Sequence, residues 1–148
     1  MSDPLSKRRL KTWIRLLGVT RNAENHLREF LRVNHDTTLP RFDVMAALWR
    51  RREGVTMTEL SRMLLVSNGN ATAVVDRLEK DGLARRSPSA TDKRSVQVAL
   101  TDAGLRLFEG LAADHEAEVN RLFERLTEAD LEALTEILRR AAERRETE

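Results

Sequence analysis

Apolar residues fall at three- and four-residue steps over most of this 148-residue chain, the spacing of amphipathic helices. From Ser6, the series Leu10, Trp13, Ile14, Leu17, Ala23, Leu27, Phe30 and Leu31 predicts a long first helix. A bend is expected at Gly18–Val19–Thr20, and the polar link Asn34–Thr38 closes the helix, with His35 and Asp36 as loop polarity. Leu39–Pro40 opens a second helix, where proline in the first turn removes an N–H that would lack a partner anyway. Phe42, Met45, Ala46 and Trp49 form one face of it and Val44 and Leu48 another, so it is buried on more than one side. Arg50–Arg52 end it at the negative end of its dipole. Thr56 and Glu59 form a capping box for a short helix carrying Leu60, Met63 and Leu64. Ser67 caps the next by accepting from the Asn70 N–H. Val74, Val75 and Leu78 give that helix its buried stripe, and Gly82 is a left-handed stop. Leu83–Ser87 reads as a strand, and Val96, Val98 and Leu100 alternate with Ser95, Gln97 and Ala99 as its return partner. Thr101 caps a long helix with Leu105, Phe108, Leu111, Ala112, His115, Val119, Leu122 and Leu126 on one stripe. Thr127 to Asp130 opens the last, which carries Leu131, Leu134, Ile137, Leu138 and Ala141.

Two short helices joined by a tight turn, followed by a hairpin with the basic tip Lys93–Arg94, read as a winged helix-turn-helix over residues 55–100. The fold class is mainly α with a small β-hairpin wing, and residues 1–148 form one domain. The helices of 6–33 and 101–146 are long, amphipathic and attached at opposite ends of a small core. A continuous apolar stripe is unusual on a soluble monomer. Two copies interleaving these helices would cover it and set two recognition helices about one DNA turn apart, matching a palindromic site.

Composition narrows the chemistry. Hydrophobic residues make up 41% of the chain, enough for a core, and there is no cysteine, which excludes disulfides and thiolate zinc sites and fits a reducing cytoplasm. No apolar run approaches the roughly 20 residues of a membrane span. The net charge is only +2, so the clustering at Lys7–Lys11, Arg50–Arg52, Arg85–Arg86 and Lys93–Arg94 carries the nucleic-acid reading. No nucleophile elbow, P-loop or dinucleotide fingerprint is present, so no enzymatic activity or cofactor is expected. His26, His35 and His115 share no metal-ligand spacing, and His115 is expected as a buried histidine on the dimer stripe.

The run Leu65-Val66-Ser67, Val74-Val75-Asp76-Arg77-Leu78-Glu79-Lys80-Asp81-Gly82-Leu83, Arg86, Asp92-Lys93-Arg94, Leu100-Thr101 and Gly104 resembles the core signature of the MarR family of bacterial transcription regulators. The resemblance implies a winged-helix homodimer on a palindromic operator, usually a repressor released by a small aromatic or anionic ligand. It implies that Ser67, Asn68, Asn70, Ala71 and Thr72 meet bases and phosphates. Asn70 can pair with an adenine edge. Thr72, Ser61 and Arg77 are phosphate clamps, although Arg77 could instead pair with Asp76, Glu79 or Asp81. Arg94 enters the minor groove with Lys93 on the backbone. Phosphate would repel Asp92, so it is assigned with Arg86 to shaping the wing, through a pair with Arg86 or Arg94.

An effector cleft between the dimer helices and the winged domain would be lined by Trp13, Leu17, Phe42, Met45, Trp49 and Phe108. Arg15, Arg28, His26 and Asp43 are its polar anchors. Such a cleft suits an aromatic carboxylate or its thioester. The Asn68-Gly69-Asn70 turn and the helix start at Leu39–Asp43 look similar to members controlling aromatic-acid catabolism, and the missing cysteine argues against peroxide sensing. The rival reading is a non-sensing architectural or adaptor protein that uses the winged domain for protein contacts.

Overall fold

The computed structural model describes residues 3–89, 91–92 and 94–143. Its elements follow in chain order as α1 (Pro4–His35), α2 (Leu39–Arg50), β1 (Val55–Thr56), α3 (Met57–Leu64), α4 (Asn68–Lys80), β2 (Ala84–Pro88), β3 (Val96–Leu100), α5 (Asp102–Leu122) and α6 (Glu128–Ala142). Each predicted cap is made: Thr56, Ser67, Thr101 and Thr127 all accept a backbone N–H from three residues ahead, and Thr38, read from the sequence only as part of a polar link, does the same for α2.

Three details differ from the pattern. No bend divides α1, which runs unbroken for 32 residues. Gly18 has nothing within 4 Å, and one exposed glycine costs only about 1 kcal/mol against alanine, too little to break so long a helix. Its end falls at His35 rather than in the loop. Asp36, with φ 48°, caps α1 by donating its N–H to the Leu31 carbonyl, and His35 Nε2 lies 2.9 Å from Asp114 Oδ2 on α5. The third is β1, a two-residue strand that makes the hairpin a three-stranded antiparallel sheet ordered β1-β3-β2, with Val55 opposite Val98 and Ala84 opposite Leu100.

The core lies where α2 crosses the helix-turn-helix. Phe42, Val44, Met45 and Leu48 of α2 pack with Leu31, Leu60, Val75, Leu78, Val98, Phe108 and Leu111, all buried. Gly104 fixes α5 against this body. A Cβ built there would run into the Leu83 carbonyl oxygen, while Thr101 Oγ1 donates to the Gly82 carbonyl at 2.6 Å and the Thr101 N–H to Leu83 at 3.0 Å. Outside the core the picture reverses. No residue of α6 is buried, and Trp13 and Ile14 on the first half of α1 are 55% and 57% exposed.

Candidate nucleic-acid interface

The helix-turn-helix is built from local hydrogen bonds. Thr56 Oγ1 accepts from the Glu59 N–H, and Glu59 Oε2 accepts from the Thr56 N–H, both at 3.2 Å. Leu65 then turns the chain in the left-handed region, φ 56°, with 92% of its surface exposed. Ser67 Oγ takes the Asn70 N–H at 3.2 Å and starts α4. Ala71, Val75 and Leu78 face the core, which leaves Ser67, Asn68, Asn70, Ala73, Asp76 and Arg77 exposed. Thr72 is half-buried, and its hydroxyl donates to the Asn68 carbonyl at 2.7 Å.

Two of the expected contacts are therefore corrected. Ala71 is 1% exposed and belongs to the core, so it cannot reach a base or phosphate. Ser61 is 7% exposed and its hydroxyl donates to the Met57 carbonyl at 2.8 Å, inside its own helix. Ala73, not singled out from the sequence, takes the outward place instead.

Electrostatically, α4 carries two acids, Asp76 and Glu79, with Asp81 just past its end, and each of the three is held by an arginine from elsewhere. Arg86 Nη2 donates to Asp76 at 2.6 Å and Nη1 to Glu79 at 3.2 Å, and the Arg86 N–H adds a bond to Glu79 at 2.9 Å. Arg41, at the start of α2, holds Asp81 at 3.0 Å. With Asp76, Glu79 and Asp81 so engaged, Arg77 makes no ion pair among the described residues. The pairing of Asp92 is corrected likewise. Arg86 goes to α4, and Asp92 Oδ1 accepts the backbone N–H of Arg94 at 2.9 Å, pinning the turn rather than a guanidinium. The tip is closed further by Ser89 N–H to the Ser95 carbonyl at 2.8 Å. Arg94 is exposed at that tip. Lys93 lies outside the described residues.

The expected effector cleft does not assemble within one chain. Phe42, Met45 and Phe108 fill the core, with Phe42 and Phe108 ring centroids 5.4 Å apart and Trp49 5.9 Å from Phe108. Trp13 and Arg15 stand exposed on α1, with Leu17 half-buried beyond them. His26 Nε2 lies 2.8 Å from Glu118 Oε2 across the α1–α5 seam. His115 stacks on Phe42 at 4.1 Å, and burial pushes its imidazole below the ordinary histidine range. Asp43 lines a separate groove with Pro40, Val66 and Asn70. Burial there and the nearby Glu24 raise its carboxyl against the opposing pull of Arg50. Of the proposed anchors, Arg28 alone borders the larger cavity beside α4. Among the described residues no three His, Asp or Glu side chains gather as a metal site, and no helix is long and apolar enough to cross a membrane.

Comparison with known proteins bears on this architecture directly. A model of the MarR family matches residues 37–96. The transcriptional repressor IacR of Pseudomonas putida is 30% identical over 119 residues, covering 80% of this chain and 68% of that protein. The chain belongs to the MarR family. The transcriptional regulator MhqR of Bacillus subtilis is 28% identical over 92% of both chains. Sco3205, a MarR family regulator of Streptomyces coelicolor solved in complex with DNA, superposes with a TM-score of 0.82 at 27% identity, over 96% of this chain and 90% of that one. This MarR-family chain is thus a DNA-binding transcription regulator, and its relatives are regulators rather than enzymes.

Proposed function

We infer that the chain acts as a homodimeric repressor on an inverted-repeat operator and leaves it when a small effector binds. The observation that carries the dimer is the bare apolar stripe on α6 and the first half of α1, where Ile14, Leu131 and Ile137 are all exposed. Burying such a surface at about 25 cal/mol per Å² favours a second copy strongly, and a two-fold pairing is the commonest closed solution. Residues 6–33 and 101–146 are the pairing segments, of which 144–146 fall outside the described residues, and 55–100 is the DNA-binding core.

On DNA, Asn68 and Asn70 face base edges, Ser67, Thr72 and Arg77 hold phosphates, and Arg94 enters the minor groove. The protein works in the cytoplasm, where its DNA lies. The test uses the purified chain and the duplex upstream of its own gene. Sedimentation should give two copies per particle. Anisotropy should give affinity falling steeply between about 50 and 200 mM salt, as phosphate contacts require. A monomer, or an affinity independent of salt, would favour the adaptor reading instead.

A further inference from the structure

The first half of α1, residues 4–22, carries Lys7, Arg8, Arg9, Lys11, Arg15 and Arg21 and no acid. All six are exposed, and none enters an ion pair among the described residues. The opposite sign gathers late in the chain. Between 109 and 136, nine acids stand against two arginines, Arg121 and Arg125. Of these acids, Glu116, Glu124, Glu128 and Glu132 are exposed and make no ion pair among the described residues. Inside one chain the two segments do not answer each other: the ion pairs from α1 to α5 begin only at His26, with Glu118. The net charge of +2 therefore hides two strongly charged segments of opposite sign. Each also exposes apolar residues, Trp13 and Ile14 on the basic one and Leu131 and Ile137 on the acidic one.

We propose that this division of charge selects the partner: the basic half of α1 from one copy lies along the acidic stretch from the end of α5 into α6 of a second copy, so the chain pairs with itself and refuses chains of the same fold that lack the pattern. The inference rests on the homodimer proposed above and adds a rule for which chains are accepted. Apolar stripes alone discriminate poorly, and choice between similar partners needs a repulsive element as well as an attractive one. Here both are present. Two basic halves set against each other, or two acidic stretches, would bring like charges together, which suppresses the wrong pairing. Basic against acidic is attractive, and a two-fold axis repeats the match. Attraction of this kind also speeds the encounter of the two chains. A nucleic acid would answer the basic half alone, whereas a second copy answers both signs and covers both apolar surfaces.

The experiment reverses each segment in the full chain. One variant carries Lys7→Glu, Lys11→Glu and Arg15→Glu, which lie at steps of four along α1; the other carries Glu124→Lys, Glu128→Lys and Glu132→Lys. Sedimentation equilibrium gives the pairing strength, and native mass spectrometry with a mass tag on one variant counts mixed pairs. Each variant alone should pair at least about tenfold more weakly than the wild type. Single exposed ion pairs contribute little, but reversal turns each attraction into a repulsion and symmetry counts it twice. Mixed in equal amounts, the two variants should form one-to-one heterodimers of wild-type strength. Pairing of the wild type should itself weaken about tenfold between about 50 and 500 mM salt. A wild type that is monomeric at every concentration removes the homodimer and this inference with it. A wild-type dimer whose variants pair as strongly, or show no preference for each other, overturns charge selection and leaves the homodimer standing. Variants that pair normally but lose duplex affinity assign the basic half to nucleic acid and overturn it too. Should circular dichroism show a variant unfolded, the salt series on the wild type decides, and pairing indifferent to salt overturns the proposal.

Discussion

Arg86 Nη2 donates to Asp76 Oδ1 at 2.6 Å, so the second strand of the wing is fastened to the exposed side of α4. One side chain thereby fixes the angle between the element expected in the major groove and the hairpin expected in the minor groove. It also neutralises a carboxylate that would otherwise face phosphate. Arg86→Ala should lower duplex affinity by more than about tenfold, because two α4 acids are left uncompensated near the DNA charge. Arg86→Lys should recover only part of it, since a lysine lacks the planar fork that serves both acids. Fluorescence anisotropy on a labelled duplex, with circular dichroism as the control for folding, checks both.

Arg94 stands exposed at the hairpin tip with its N–H held by Asp92. Its guanidinium makes no ion pair among the described residues. Arg94→Ala should weaken duplex binding by more than about tenfold while the chain stays folded, and the loss should be larger where a narrow A·T stretch flanks the site. A gel-shift titration that finds unchanged affinity would remove the wing from the mechanism.

Leu65 occupies left-handed backbone, φ 56°, with 92% of its surface in solvent. A leucine there suffers about 1–2 kcal/mol of Cβ strain, and glycine would recover this less roughly 0.5–1 kcal/mol of added chain entropy. Leu65→Gly should therefore stabilise the chain by about 0.5–1 kcal/mol. Urea unfolding followed by circular dichroism measures it, and a lower midpoint would contradict the argument.

His115 is stacked on Phe42, and burial lowers its pKa. The unfolded chain takes up that proton near pH 6.5, whereas the folded chain resists it to lower pH. This contribution is therefore fully present above about pH 6.5 and is lost as pH falls through the window between the two values. His115→Phe keeps the stack and removes the proton site. The thermal midpoint of the variant should fall less than that of the wild type between about pH 7 and 5.

The sequence made its local chemistry plain. The threonine and serine caps, the capping boxes and the left-handed Gly82 each depend on residues within four positions, and each is found in place. Burial of Ala71 was also written there, in its four- and three-residue steps to Val75 and Leu78, but its position beside Asn70 invited a surface role. Ser61 sits next to Leu60 on the inner side of a helix of only eight residues, too short for its faces to be told apart by period. Partners distant in sequence were beyond such reading. Nothing local says that Arg86 will choose Asp76 and Glu79 over Asp92, or that Arg41 will reach 40 positions to Asp81. The aromatic residues assigned to an effector cleft look alike whether they line a hollow or fill a core, and the crossing of α2 with α5 decides the matter.

Gly104 leaves room for only a hydrogen between α5 and the Leu83 carbonyl, with Thr101 bonded to the same turn. A joint this tight has no slack to absorb motion. A push on α5 near its start would meet the bend behind α4 directly, backbone against backbone. The start of α5 and the end of α4 thus close on each other at this point, and the smallest side chain in the alphabet is what lets them.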